Sequence, residues 1–541
     1  MAEMLRGSAV WRALLAVRLW LVRCARGSAV FAAIGRCWHA SGTRAWFVRH
    51  LGADDCQVQG ARTTRWFAGV NRTLAGCSWP RRWWEASLLC RVWRAVLRAL
   101  QRSRILGWLF ADGIQSFMLY ALGGYVVVDW LLRDVLKIAL LASVWDELFL
   151  LFGLFWVIWR RTGRQTPVRV GANPLDVPVA LFLAVGLVLM SIVAPYPAIQ
   201  LSGYRATVQY MLWFFLITRL VETDDDFMRV YGMLCAVAAL LALHGIYQYI
   251  IGVPMPSNWV AAAETAVRTR VYSIFGSPNI MGDFMVLFVP MTVGLAYHTK
   301  NRYVQAGAWL AAAVMCVACL FTMSRGAWMA MAVAIVLFIL LVDRRLFWLM
   351  LAAGCVLVLV PFVRTRIGFL FTDDFVAANS NGGRAGRWEN GLAHLYGANP
   401  ATGFGLGMFG GAVAMQNQVL DGVDYFYMDN YYLKILVEMG WTGLASFVVL
   451  LLAMLWNACR ALFRTGRKWK QKEKPMYPLC AGMFAGLCGV LVHCYGENIF
   501  EEPYMMVYFW VVAGLLIWAG FLRGRGERSA GHAGDAADIS L

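Results

Sequence analysis

Long apolar runs alternate with short polar stretches over most of this 541-residue chain. A transmembrane helix needs about 20 mostly apolar residues to cross a hydrocarbon core of ~30 Å. The pattern predicts an all-α, polytopic membrane protein with about twelve transmembrane helices. A long loop, residues 364–430, separates the ninth predicted helix from the tenth. The apolar segments are 113–132, 138–159, 176–194, 204–220, 229–251, 280–298, 304–322, 326–342, 347–363, 431–457, 478–495 and 504–522.

Composition agrees with this class, because 60% of the residues are hydrophobic and only 15% are charged. Soluble domains carry about 25% charged residues. The chain has a net charge of +18, and residues 1–104 alone hold 18 Arg and no Lys. In a membrane protein such a charge favours anionic lipid as a partner over nucleic acid. We predict that residues 1–105 form Arg/Trp-rich amphipathic helices on the cytoplasmic membrane surface. A partner-binding domain and a poorly ordered extension remain open alternatives.

Lys and Arg in short loops predict the orientation, because they accumulate on the cytoplasmic side. If the twelve segments alternate, the basic loops fall on the same side as the N-terminus. We therefore predict that both termini are cytoplasmic, including the tail 523–541. The long loop is then periplasmic, and it separates helices 1–9 (106–363) from helices 10–12 (431–522). The basic positions include Arg160, Arg161, Lys300, Arg302, Arg344, Arg345, Arg464 and Arg523.

Several arginines break this rule and fall at the predicted outer face. Arg is suited to bidentate phosphate binding. Their clustering with carboxylates predicts a site for a membrane lipid that carries a pyrophosphate head. The candidate pyrophosphate-binding residues are Arg205, Arg325, Arg384 and Arg387.

Other polar residues collect at the same level of the predicted bundle. Ionisable groups in membrane segments are costly and by default indicate function. The supporting candidates are His244, Asn279, Asp283 and His493, and Glu497 also follows the eleventh segment. Asp429 and Asn430 stand at the entrance of the tenth segment. Interfacial anchoring or helix capping is the alternative interpretation of each, and Asp or Asn is a good N-cap. A capping residue is also a positioned one, so capping and catalysis are compatible.

Two further features exclude other kinds of site. The 13 Cys include no C-x-x-C pair outside the apolar runs, so we predict no disulfide framework, no metal and no cofactor. The glycine-rich run "TGFGLGMFGG" from Thr402 has no strand–helix context of the kind that nucleotide-binding loops have. We interpret it as a flexible turn beside the site.

Four motifs occur in order and together resemble the O-antigen ligase and polymerase superfamily over residues 175–520. They are "FGSPN" from Phe275, "TMSRGAW" from Thr322, "GRAGRW" with the following Asn-Pro and glycine run from Gly383, and Asp429-Asn430 followed after nine residues by "GWTG" from Gly440. By this resemblance the turn arginine is Arg325, the loop arginine is Arg384 and the outer-helix arginine is Arg205. Arg387 is added from its charge alone.

The resemblance implies a metal-independent, inverting glycosyltransferase at the outer face of the bacterial inner membrane. The donor would be a glycan on undecaprenyl pyrophosphate. The acceptor would be lipid A–core in a ligase, or another lipid-linked glycan in a polymerase for O-antigen or capsule. A lipid-linked glycan transporter or flippase is the alternative from another class. Transporters place charges near the midplane of inverted repeats, and the sequence has no such symmetry.

The chain departs from the ligase pattern at one position, because it has Asp429 where the ligases have His. His is the usual proton acceptor near neutral pH. An Asp with an ordinary pKa of ~3.9 is ionised but weakly basic, and burial would raise that pKa. We therefore predict Asp429 and Asn430 as the catalytic residues. The choice between ligase and polymerase stays open.

Overall fold

The computed structural model describes residues 42, 113–162, 173–193, 196–256, 259, 268–373, 376, 383–397, 399–419, 425–470 and 476–523, and its regular elements are helices. The helices are α1 (Ile114–Gly123), α2 (Tyr125–Trp130), α3 (Ala139–Thr162), α4 (Asp176–Val193), α5 (Pro197–Val208), α6 (Leu212–Leu220), α7 (Asp224–Ile251), α8 (Pro278–His298), α9 (Arg302–Phe321), α10 (Arg325–Leu341), α11 (Leu346–Leu359), α12 (Pro361–Gly368), α13 (Arg384–Gly397), α14 (Ala412–Asn417), α15 (Tyr431–Lys470), α16 (Tyr477–His493) and α17 (Pro503–Ile517).

The predicted helical membrane protein is confirmed, but the count of twelve membrane crossings is not. Among the residues that the structure describes, seven helices are long and apolar enough to span a bilayer: α3, α4, α7, α8, α9, α15 and α17 with its short extension to Leu522. Two pairs of bent helices raise the number to nine if each pair is one span. In the first pair, α1 and α2 with its continuation to Val135 meet at a bend of 83°. In the second pair, α11 and α12 with its continuation to Phe371 meet at a bend of 85°. The predicted segment 204–220 is broken by a 3-10 turn at Gln209–Met211. Twelve crossings therefore remain a prediction.

The centre of the bundle is built on α8, α16 and α17. In the most apolar 18-residue stretch of each helix, 83% of the residues of α8 and 89% of those of α17 with its extension are buried within the protein. Gly482 and Gly486 of α16 lie one turn apart against the backbone of α8, and a Cβ at Gly482 would stand 2.5 Å from the carbonyl oxygen of Pro290. Small residues spaced by four let membrane helices approach closely. This contact fixes α8 and α16 as the frame of the site.

The helices alternate in direction, so several of their ends meet at one end of the bundle. The helices α8, α10 and α15 begin there, and α9 and α16 end there. We call this end the site end. The predicted candidates Asn279, Arg325, Asp429 and His493 all lie within two turns of it.

The long helix α15 is broken at Gly440, which has φ 64° and ψ −168°. The loop Asn399–Gly405 pairs with the backbone groups that the break frees. Trp441 and Thr442 donate their N–H groups to the carbonyls of Pro400 and Ala401 at 2.9 and 3.2 Å. The carbonyls of Val437 and Glu438 accept from Phe404 and Gly405 at 2.8 and 2.9 Å. Because unpaired backbone groups in a membrane are costly, this pairing ties the loop to the first turns of α15.

Two parts of the predicted domain division lie outside the described residues: the N-terminal block 1–105, apart from residue 42, and the tail beyond residue 523. The predicted loop 364–430 is described in part. It includes the end of α12, α13 and α14.

Candidate active site

Asp429 and Asn430 have different structural roles at the entrance of α15. The side-chain oxygen of Asn430 accepts a hydrogen bond from the N–H of Leu433 at 3.1 Å, so Asn430 is the N-cap of the helix. Asp429 has φ 49°, in the left-handed region that Asp tolerates better than most residues. Its carboxylate is turned toward α13 instead. Capping by Asn430 therefore leaves the Asp429 carboxylate available for other chemistry.

Two arginines of α13 face the Asp429 carboxylate. Arg387 Nη1 lies 2.7 Å from Asp429 Oδ2 and also donates to the carbonyl of Tyr427 at 2.9 Å. Arg384 Nε lies 3.7 Å from the same oxygen. The side chain of Asp429 is 15% exposed and that of Arg384 is 44% exposed. The carboxylate is thus largely enclosed, whereas the Arg384 guanidinium remains accessible to a substrate.

Arg384 also contacts a second carboxylate, because its Nη2 lies 3.8 Å from Glu497 Oε2. Glu497 follows α16 and accepts a hydrogen bond from Asn279 in the first turn of α8. Asn279 Oδ1 in turn accepts from the buried Arg270 at 2.9 Å. A continuous polar network therefore runs from Asp429 through Arg384 and Glu497 to Arg270.

The two carboxylates of this network are perturbed by their surroundings. Burial raises the pKa of Asp429 above its usual range, although the charges of Arg387 and Arg384 oppose that shift. Burial also raises the pKa of Glu497, and repulsion by Asp429 raises it further. A carboxylate whose pKa is raised toward neutrality is a better proton acceptor than an ordinary Asp. Perturbed ionisable groups of this kind concentrate at functional sites.

The predicted turn around Arg325 forms the neighbouring part of the site end. Ser324 caps α10 by accepting from the N–H of Ala327. The Arg325 guanidinium lies over the ring of Phe369, 5.4 Å from its centre. Arg366 donates to the carbonyl of Met323 at 3.1 Å. Residues 361–371 thus cover the turn, and they hold Arg325 at the mouth of the bundle.

One turn deeper, His493 and Asp283 form a buried pair. His493 Nδ1 lies 3.0 Å from Asp283 Oδ1. Asp283 and Asn279 are one turn apart on α8. Their partners are His493, the last residue of α16, and Glu497 in the turn that follows it, so two successive contacts join α8 to the end of α16. The ring of His493 abuts Gly326, where a Cβ would stand 2.7 Å from Nε2. These candidates support the site from beneath.

Two predicted site residues belong to other polar groups. Arg205 forms an ion pair with Glu147 of α3 and donates to Gln209 at 2.9 Å. His244 of α7 lies 2.9 Å from the hydroxyl of Ser273. The structure therefore brings together Arg384, Arg387 and Asp429, and it joins Asn279 to them through Glu497. It gives Arg205 and His244 different partners.

The glycine run is not the flexible turn that the sequence predicts. Several of its N–H groups are used by the protein itself: Phe404 and Gly405 donate to carbonyls of α15, and Met408 donates to the carbonyl of Gly405 at 3.2 Å. Ala412, which follows the run, donates to Glu501 Oε1 at 3.3 Å. Left-handed φ values at Gly403, Gly405, Gly407 and Gly410 let the chain follow this tight path. The run is a docked scaffold, and these bonds argue against a phosphate-cradling loop.

Three polar residues that the sequence pattern does not single out also lie here: Lys434 and Asn498, which are buried, and Glu501, which is partly buried. Lys434 Nζ lies 2.7 Å from Glu438 Oε2 and 3.4 Å from Glu501 Oε1. The spacing of Lys434 and Glu438 within an apolar helix is a signal that sequence alone offers, because residues four apart share a helix face. The roles of Asn498 and Glu501 cannot be read from local sequence, because they depend on contacts between distant segments.

No group of three or more His, Cys, Asp or Glu suited to a metal occurs among the residues that the structure describes.

The segment that carries these arginines and Asp429 can be compared with known families. Residues 310–448 match the O-antigen ligase family. The match supports the O-antigen ligase superfamily and confirms the resemblance found in the sequence. It covers Arg325, Arg384, Arg387, Asp429 and Gly440, whereas Glu497 and Asn498 lie beyond it. The chain matches no curated protein. Over this segment the chain is similar to a family of the ligase or polymerase type, and its apolar helices agree with a multi-pass membrane protein.

Proposed function

We propose that this O-antigen ligase superfamily protein transfers a glycan from undecaprenyl pyrophosphate to an acceptor hydroxyl at the outer face of the inner membrane. The observation that carries the proposal is the enclosed Asp429 carboxylate beside two arginines, one of them accessible. A carboxylate and a cation next to each other are what a displacement at a glycosyl pyrophosphate requires.

Asp429 acts as the general base. The acceptor hydroxyl attacks the anomeric carbon, and its proton passes to the Asp429 carboxylate as the new glycosidic bond forms. Burial raises the pKa of Asp429, which favours this proton transfer. Asn430 caps α15 and so fixes the backbone at the base. In-line attack inverts the configuration of the anomeric carbon.

Arg384 and Arg325 stabilise the leaving group. The bond between the anomeric carbon and the pyrophosphate oxygen breaks, and the electron pair leaves with undecaprenyl pyrophosphate. Arg384 is accessible and lies between two carboxylates, so it can move onto a phosphate while Glu497 and Asp429 remain close. Fixed cations placed where charge develops lower the barrier. Arg387 is held by Asp429 and Tyr427 and acts mainly on the base.

The site end is the outer end of the bundle in this proposal, with both termini in the cytoplasm. The opposite end carries basic residues at its short turns: Lys300 between α8 and α9, Arg302 at the start of α9, and Arg344 and Arg345 between α10 and α11. Such turns accumulate on the cytoplasmic side. A glycan lipid presented at the outer leaflet then meets Arg384 and Asp429 directly.

The test is a transfer assay in proteoliposomes with a labelled undecaprenyl-pyrophosphate oligosaccharide, offered alone and then with lipid A–core. A single shifted lipid A–core band identifies a ligase. A ladder from the donor alone identifies a polymerase of lipid-linked repeat units. Movement of intact donor between leaflets without new glycosidic bonds would overturn the proposal in favour of a flippase.

A further inference from the structure

The backbone of Asp429 is held from both sides. The N–H of Met428 donates to the carbonyl of Gly410 at 3.1 Å, and the N–H of Asn430 donates to the side-chain oxygen of Asn498 at 3.2 Å. Asn498 closes this arrangement, because its amide nitrogen donates to the same Gly410 carbonyl at 2.8 Å. One buried side chain thus bonds Asn430 directly and is linked to Met428 through the Gly410 carbonyl that both contact.

Asn498 is itself anchored by a buried ionic cluster. Its amide nitrogen also lies 3.1 Å from Glu501 Oε2. The other oxygen of Glu501 lies 3.4 Å from Lys434 Nζ, which is paired with Glu438. The side chains of Lys434 and Glu438 are 4% and 1% exposed. The cluster therefore connects α15, the end of the glycine run and the turn before α17.

The position of this cluster indicates more than general stabilisation. Burying a charged pair costs desolvation free energy, and a well-packed apolar replacement is often as stable. Here the ionic bonds lead, through Asn498, to the two residues that flank a left-handed Asp. A non-glycine residue in that region stores strain and persists only when its surroundings over-determine it.

We propose that Asn498 is a positioning residue for Asp429, fixed in turn by the Glu501–Lys434 ion pair. The inference rests on the proposed function, because it takes Asp429 as the base. The clamp holds the carboxylate against Arg387 and within reach of an acceptor hydroxyl. Its loss displaces the base without removing a group that touches either substrate.

The first test is Asn498→Ala in the transfer assay, with Asn417→Ala as the matched control. Asn417 is an exposed residue of α14 whose amide bonds only locally, to Val413. A misplacement of about 1 Å at a reacting group can cost ~100-fold in rate. We therefore expect Asn498→Ala to lower kcat by about 10- to 100-fold with little change in donor KM. The control keeps both values.

The second test is a transposition of amide and acid. Asn498→Asp alone places two carboxylates in contact, so we expect the largest loss of kcat. Adding Glu501→Gln restores the total charge, and the new amide at position 501 can donate to the new carboxylate at position 498. Because the double variant also gives up the Lys434–Glu501 ion pair and the donor to the Gly410 carbonyl, we expect only partial recovery of kcat relative to Asn498→Asp. Partial recovery supports the clamp, and a wild-type kcat in Asn498→Asp contradicts it.

Hydrogen exchange provides a measurement independent of activity. The clamp predicts slow exchange of the Met428 and Asn430 amides, and Asn498→Ala should accelerate exchange in a peptide covering 425–433 while a peptide within α8 stays protected. Unchanged exchange and unchanged kcat in Asn498→Ala would overturn the clamp alone. Full activity of Asp429→Asn would instead overturn the role of Asp429 and with it the proposed mechanism.

Discussion

Arg387 Nη1 lies 2.7 Å from Asp429 Oδ2, and this ion pair joins α13 of the long loop to the entrance of α15. Arg384 continues the contact to Glu497 after α16. Three chain segments that are far apart in sequence therefore meet around Arg384, which lies near both carboxylates.

The pH dependence of transfer should reflect the raised pKa of Asp429. The base must be ionised, so activity is present above its pKa and is lost as pH falls through it. Because burial raises that pKa, the acid limb of kcat/KM should lie above the ~3.9 of an ordinary Asp. The rate of transfer measured across pH checks this, and an acid limb at or below that value would contradict it.

Glu497→Gln should shift that acid limb. Glu497 and Asp429 repel each other, as the raised pKa of Glu497 indicates. Removing the Glu497 charge makes ionisation of Asp429 easier, so the acid limb should move to lower pH. Glu389→Gln, an exposed change on the same helix as Arg384, is the control. An acid limb that moves upward, or moves equally in both variants, would count against the coupling.

Arg384→Lys should weaken the use of the donor. A lysine carries the charge but is a point cation, so it loses the planar fork that reaches two carboxylates and a phosphate. We expect kcat/KM for the donor to fall by about 10-fold or more, as for loss of one charge-assisted contact. The matched control is Arg364→Lys, an exposed arginine of α12. Equal activity of the two variants would remove Arg384 from the site.

Gly440→Ala should destabilise the protein and loosen the loop. Gly440 has φ 64°, and a Cβ there would stand 2.5 Å from the carbonyl carbon of Ala401. Its backbone angles, φ 64° and ψ −168°, lie in a region that is essentially restricted to glycine, and this conformation alone costs an alanine about 1–3 kcal/mol. Thermal unfolding in detergent should show a lower midpoint than Gly354→Ala, a helical position with open space around it. A midpoint equal to that control would mean that the break in α15 tolerates a side chain.

The sequence predicts the apolar helices and the residues Arg384, Arg387 and Asp429, because period, composition and local motifs carry that information. It also offers capping as an alternative role for Asp429 or Asn430, but it cannot separate the two residues. That distinction depends on the left-handed turn at Asp429, which sends one side chain to Leu433 N–H and the other to Arg387. Twelve crossings stay a prediction, because length and hydropathy support seven among the described residues, or nine if each bent pair is one span.

Contacts between segments that are distant in the sequence decide the surroundings of the glycine run, Arg205 and Asn498, and no local sequence pattern shows such contacts. The glycine run looks flexible in sequence because its partners, Val437 and Glu438, lie more than thirty residues away. Arg205 has the charge of a phosphate ligand, and in the fold it pairs with a carboxylate of α3, so its contact with phosphate stays a prediction. Asn498 has no sequence signal at all, because its meaning comes from Gly410 and Asn430.

The most direct test of the central claim is the transfer rate of Asp429→Asn beside Asp373→Asn, which makes the same change at an exposed carboxylate beyond α12. Loss of a general base typically costs about 10²- to 10⁴-fold. The account predicts a loss of that size for Asp429→Asn, with donor binding retained, and the wild-type rate for Asp373→Asn. Wild-type transfer by Asp429→Asn would contradict the assignment of Asp429 as the base.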